Sequence, residues 1–399
     1  MLINASGDHA YSFTIGTIAL NLSERLKIDA TRILVLYGNF IHHMFNPLQE
    51  CVDYSNKSYR LGMASGDIMF GLVAALLSIT ARFYCSHPLE ILIAVARSTL
   101  QEMIYYEQHV FRSYVALFGQ FMCNLQGPND SANPAIPEGE IVSNLKEFIA
   151  RHQDGFSRVG IANVGMMIAY IFGDLDRARD SAMDLLSMKN KTFPLFSSIF
   201  FPFFRCLTWL GLVKRGEKKF MRRANREIAI LSKWIKSGFV NVPHLLLLLQ
   251  AEKLSITSRD TDAVKKAFCE AIKSSAKRGF SLFCAIGNER AGVYFLDHDH
   301  NWSAFYIDRA LALYRELGAE AKAQWCITQY NITESSLSTR LRGTLLRRQT
   351  EIDAEIEMEK HNKSDWINTF GDERRRSLRK SITLIFKPTA GSRDETLVE

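Results

Sequence analysis

Proline and glycine are scarce in this chain of 399 residues, nine and 23 in number, too few for an all-β fold or for a disordered chain of this size. Cysteine supplies no framework either. The seven cysteines, at 51, 85, 123, 206, 269, 284 and 326, are odd in number, widely spaced and without a CxxC pair. Most stand in apolar helical contexts, as Cys269, Cys284 and Cys326 do beside Phe268, Phe283 and Trp325, where a thiol acts as a small buried hydrophobe. Reduced core cysteines and a cytoplasmic setting are therefore expected. The N-terminus has an acid, Asp8, and no basic residue ahead of its apolar run, unlike a secretory leader. Long uninterrupted apolar runs are lacking too. Phe193 to Val213 is rich in Phe and Leu but contains Pro194, Pro202 and Arg205, so a buried pair of helices is expected there and a membrane span is not.

Catalytic signatures are equally scarce. The chain has no P-loop, no nucleophile elbow, no GxGxxG after a strand and no HExxH. Asp297 to His300 alternates Asp and His, yet it falls where an inter-helix turn is needed and has no further Cys or His nearby to fill a zinc shell. His42 and His43 are adjacent on an expected helix and so face different ways, one buried and one exposed. No catalytic residue, cofactor or metal ligand is assigned.

What is present is helix. At 47% hydrophobic the chain can bury a large core, and its length implies several domains or an extended stack. From Trp302 to Ala319, Ala304, Ile307, Ala310, Leu311 and Tyr314 recur at three- and four-residue steps and fall on one helical face. Helices are predicted over 9–25, 29–45, 47–65, 67–84, 88–126, 138–152, 158–172, 174–188, 194–213, 217–237, 243–256, 260–278, 281–297, 301–317 and 319–335. Gly, Asp and Ser at 66–67, 173–174, 258–260 and 297–299 punctuate them as helix stops and caps.

A rule of small residue, apolar residue four on, and small or apolar residue seven on fits four of these helices. The matching triplets are Ala178, Ala182, Leu185; Ala224, Ile228, Leu231; Val264, Phe268, Ala271; and Ser303, Ile307, Ala310. Their starts are 46, 40 and 39 residues apart, longer than the 34-residue tetratricopeptide period. The expected fold is therefore all-α, a tetratricopeptide-like right-handed α-solenoid of antiparallel helix pairs. Residues 1–126 form an N-terminal helical half, 127–139 an exposed loop, 140–335 the repeats, and 336–399 a charged, partly disordered tail. Such stacks hold peptides or helices more often than they build active sites.

A family resemblance points the same way. Arg32 to His43, Tyr59 to Asp67, Trp234 to Ser237, Leu248 to Lys253, Ala271 to Phe280, Asn288 to Ala291 and Ala312 to Lys322 follow one another in an order and spacing similar to those of one family. The stretch from Tyr11 to Tyr330 resembles the helical region between the AAA-type ATPase and the GAF or histidine-kinase modules of multidomain signalling kinases. Leu317 stands where that family has a tryptophan before Gly318 and Ala319, and the family's enzymatic modules have no counterpart here. The resemblance implies a role in signal transduction, with the alternative that the chain is a detached fragment of a multidomain ATPase and serine-threonine or histidine kinase.

Charge gives the candidate site. Residues 211–240 hold nine basic residues against Glu217 and Glu227, an excess of +7 that equals the net charge of the whole chain. Lys218, Arg222 and Arg226 follow at four-residue spacing with Lys219 and Arg223 beside them, a basic strip on one helix. It suits an acidic protein partner, a peptide or a helix. Nucleic acid is disfavoured because no aromatic residues interleave with the cations for base stacking, and the plainer alternative is a solvated helix face. Beyond Ser335 the chain turns from a basic block (Arg342, Arg347, Arg348) to an acidic one (Glu351 to Glu359). There Ser377 and Ser381 follow arginines, a setting for regulatory phosphorylation.

Overall fold

The computed structural model describes residues 9–26, 30–109, 111–127, 133–188, 195–331 and 350. The chain divides into two units, 1–348 and 349–399, and all the helices considered below lie in the first. Ser377 and Ser381 fall outside the described residues. The protein is all-α: sixteen α-helices and three short 3-10 turns occur, with no strand among the described residues.

Six helices form the N-terminal part: α1 His9–Leu26, α2 Thr31–Phe40, α3 Gln49–Ser65, α4 Ile68–Tyr84, α5 Leu89–Tyr105 and α6 Arg112–Gln126. A short α7, Leu145–Arg151, precedes four pairs joined by short turns. These are α8 Gly155–Ile171 with α9 Leu175–Ser187, α10 Phe200–Lys214 with α11 Met221–Lys236, α12 Pro243–Thr257 with α13 Thr261–Lys277, and α14 Ser281–Phe295 with α15 His300–Glu316. The last helix is α16, Glu320–Gln329. Within each pair the two helices pack side by side, and each first helix also touches the first helix of the next pair.

Local sequence sets the boundaries. Asp154, Asp174, Asp260 and Asp299 accept backbone N–H bonds at the starts of α8, α9, α13 and α15, and Pro243 opens α12 where no N–H is needed. Burial then divides the members of each pair. The first helices are buried around most of their circumference, α10 at Phe200, Phe203, Phe204, Trp209 and Leu212 among others. The second helices bury one stripe. The residues of the repeat rule are that stripe: all are buried except Ile228, which is half-buried. Close approach depends on Gly292 in α14, where an added Cβ would stand 2.5 Å from Ile307 Cδ1. The apolar run at Phe196–Lys214 is long enough to cross a bilayer, but 83% of it is buried among other helices.

Four expected elements differ, one of them the helix expected over 319–335, which ends at Gln329 with Tyr330 and Asn331 in a turn. The helix expected over 88–126 breaks after Tyr105, where Glu107 takes φ 56° and Gln108 N–H closes the end on the Met103 carbonyl. The one expected over 138–152 starts only at Leu145, because the Gln120 side chain accepts the N–H groups of Ile141 and Val142. That capture also changes the loop before it. Its described part is not exposed throughout, since Ala135 and Pro137 are buried and Asn124 donates to the carbonyls of Pro134 and Ile136. Finally, α2 stops at Phe40 and continues as a 3-10 turn, His42–Met44, whose tighter winding turns both histidines inward, at 5% and 2% exposure.

The N-terminal helices lie along the turns that lead into the first helices of the pairs. Tyr84 stacks on Phe200 at 3.8 Å, and Phe200 stacks on Phe283. Ser86 Oγ accepts from Leu282 N–H, Gln49 donates to the Arg278 carbonyl, and Leu89 N–H donates to the Leu317 carbonyl. Asn241 makes the densest link. Its Oδ1 accepts from Leu48 N–H at 3.1 Å, and its Nδ2 donates to the carbonyls of His43 and Asn46 at 2.6 and 2.8 Å. Substituting Asn241→Ala leaves three buried backbone groups without this partner, so a loss of roughly 2 to 4 kcal/mol is expected as a lower urea midpoint at unchanged slope. A loss under about 1 kcal/mol would show that water replaces the amide without cost.

Candidate functional site

The basic strip runs along the start of the second pair's outer helix. A 3-10 turn, Lys218–Phe220, leads into α11, and Phe220 anchors it by stacking on the buried Trp209 at 5.2 Å. Lys218, Lys219, Arg222 and Arg226 are exposed. Arg223 is half-buried, its guanidinium over the Trp209 ring at 5.7 Å, so it supports the strip from the side. Lys219 has a 3.6 Å pair with Glu217. Arg222 and Arg226 thus stand on a helix whose opposite stripe, Ala224 and Leu231, is buried, and Lys218 and Lys219 on the turn that leads into it.

Of the other charges counted in this segment, Lys233 and Lys236 are exposed, while Glu227, Lys214 and Arg215 pair with residues of other helices. Glu227, the one acid within α11, is 4% exposed and takes both arms of Arg205 at 2.8 and 2.9 Å. Lys214 pairs with Glu252 at 2.9 Å, and Arg215 with Asp176 and Glu217. Removing Glu227 from the surface leaves the outward face of α11 with cations and no carboxylate. The field at that face is therefore more uniformly positive than the sequence count suggests.

A second constellation lies inside, at the far ends of the first helices. Glu252 of α12, 1% exposed, accepts from Arg290 of α14 at 2.7 Å and pairs with Lys214 of α10. Burial pushes its carboxyl up, but the two cations outweigh that and hold it down at about 2. Glu289, also in α14, accepts from Tyr314 and Tyr330 hydroxyls at 2.6 and 2.8 Å and from Lys322 at 2.7 Å. Lys322 itself is 1% exposed, donates a second bond to the Ile171 carbonyl at the end of α8, and lies 3.9 Å from the Trp325 ring centre. The network fastens α16 to α8, α14 and α15.

The sequence reading missed this network as a structure, although its members were in view. Glu252 lies in the Leu248 to Lys253 segment, Glu289 and Arg290 in Asn288 to Ala291, and Lys322 ends Ala312 to Lys322. The available signal was a charged residue inside a helix apolar on its other faces, as Glu252 is behind Leu245 to Leu249. The two histidine motifs take structural places. Asp299 caps α15, and His298 stacks on Tyr294 and bonds its carbonyl. His42 pairs with Glu50 at 2.7 Å. A cavity of about 40 Å³, lined by Leu76, Leu77, Tyr114, Val159 and Phe201 among others, falls far below the ~300 Å³ of a typical small-molecule pocket.

Two outcomes follow from the buried charges. Lys322→Met strands Glu289 in the core and is expected to cost about 3 to 5 kcal/mol in urea unfolding, whereas Glu289→Leu with Lys322→Met recovers much of that loss. Equal losses for the single and double variants would mean that packing alone fastens α16. For Glu252 the folded pKa lies below its ordinary 4.5, so the stability it contributes is present above pH 4.5 and is lost as pH falls towards 2. Acid unfolding of Glu252→Gln should show a shallower slope in that window than the unsubstituted protein. No family model and no curated protein sequence matches the chain.

Proposed function

We propose that this protein is a non-enzymatic helical-repeat scaffold that binds an acidic peptide or helix of a protein partner on the outer face of α11. The four helix pairs are read as tetratricopeptide-like repeats of a right-handed solenoid, with the N-terminal helices laid along one end of their first helices. The observation that carries the reading is the inward turn of Glu227 onto Arg205. It clears α11's outer face of negative charge while Lys218, Lys219, Arg222 and Arg226 stay exposed at helical spacing. A partner helix with carboxylates three or four residues apart matches that spacing. Resemblance to the helical region of signalling kinases supports a role in signal transduction, and the scattered cysteines without a CxxC pair support a cytoplasmic setting.

The second reading, a helical segment of a multidomain ATPase and kinase, is favoured by one observation. Three of the segments that carry the resemblance supply the residues of two buried ion pairs, Glu252 with Arg290 and Glu289 with Lys322. An in-frame ATPase or kinase domain beside the gene decides for it.

Charge reversal tests the surface. Arg222→Glu with Arg226→Glu, both exposed and away from Trp209, should leave thermal stability within about 0.5 kcal/mol, as surface changes do. The same change should weaken capture of an acidic helical peptide at least tenfold and flatten its salt dependence. An unchanged affinity and salt response would remove α11 as the binding face.

A further inference from the structure

The joint around Asn241 has a feature beyond its hydrogen bonds. Residues 42–48 meet residues 238–244 there, with Val240 N–H bonded to the Met44 carbonyl beside the three Asn241 bonds. Two buried histidines lie near the joint, His43 within it and His244 three residues past Asn241, against the turn between α13 and α14. His43 is 2% exposed, its Nδ1 has no hydrogen-bond partner, and its ring meets Phe196 edge-on at 6.4 Å. The charged or titratable groups facing it are His42, itself paired with Glu50 of α3, and His9 of α1. Phe196 is the side chain that the 3-10 turn before α10 presents to it. His244 is fully buried, with neither ring nitrogen bonded. It lies flat on Phe280 at 4.2 Å and edge-on to Phe283, and the one charge that acts on it is Arg278 at the end of α13. Neither histidine has a carboxylate among the groups acting on it.

We propose that this joint is an acid-labile clasp: protonation of His43 releases residues 42–48 from residues 238–242 while the helix pairs stay folded. An imidazolium against the Phe196 ring, with no carboxylate bonded to it, has no compensating contact and must reach water. Opening the joint provides that water and bares Phe196 and Phe239, which are buried when it is closed. Burial, then neighbouring positive charge, holds both rings at about 3, below the ordinary 6.5. The closed joint therefore binds fewer protons than the open one between pH 6.5 and 3, and it loses stability as pH falls through that window. Between pH 7 and 5 the His43 ring shifts the open-to-closed ratio by roughly 20-fold. This lies above the window in which Glu252 titrates.

Amide hydrogen exchange on the full chain, corrected for the intrinsic pH effect, tests it. On going from pH 7 to 5, segments 42–48 and 238–242 are expected to lose protection roughly 20-fold while α8 and α9 keep theirs. His43→Leu should abolish the difference, and Glu50→Gln, which alters the partner of His42, should leave it in place, as should His244→Phe, whose ring packs on Phe280 and Phe283. Loss of protection spread evenly over all helices, or a His43→Leu variant with the original pH dependence, overturns the clasp. Should that variant not fold, the unsubstituted protein decides alone: equal protection of the joint at both pH values overturns it.

Discussion

A helix that is apolar on nearly every side needs neighbours on nearly every side, and the first helices of the four pairs are of this kind. The second helix of a pair covers one flank and the adjoining first helices cover another. What remains near their starting ends is covered by the N-terminal helices, through Tyr84 on Phe200 and the links of Ser86, Gln49 and Leu89. Burial of each large apolar side chain contributes about 1.5 to 3 kcal/mol. No first helix is therefore stable without its pair and its neighbours.

Where chain ends and turns must also be covered, polar groups are buried and have to be satisfied. Asn241 meets three backbone groups at one joint, and Lys322 meets a helix-end carbonyl and a carboxylate at another. Both are specific rather than strong: the desolvation of Lys322 and Glu289 offsets much of their attraction, yet only one placement of α16 satisfies both. The outer surface follows from the same arithmetic of partners. Arg205 enters an otherwise apolar helix and draws Glu227 inward, and the cations of α11 stay outside as a consequence.

The helical class, most helix positions and the buried stripe of each second helix were legible in the sequence, because they rest on interactions within three or four residues. Ala178, Val264, Phe268 and Ile307 face inward wherever their helix is placed, since periodicity alone puts them on one side. Caps at Asp174, Asp260 and Asp299 are as local. The break after Tyr105, the late start of α7 and the burial of both His42 and His43 were not legible. Each depends on a residue far along the chain or on a change of winding: Gln120 for Ile141 and Val142, Asn241 for the turn at His43.

Sequence by itself determined that this is a helical protein with a cationic stretch at 214–236, because spacing and charge are properties of the string of residues. Tertiary structure decided which of those cations are paired across helices. Lys214 and Arg215 differ from Arg222 and Arg226 only in where partners from other helices stand, Glu252 and Asp176 for the first two. It also decided that Glu252 meets Arg290 and Glu289 meets Lys322, for ion pairing acts over a few ångströms of space and takes no account of separation along the chain.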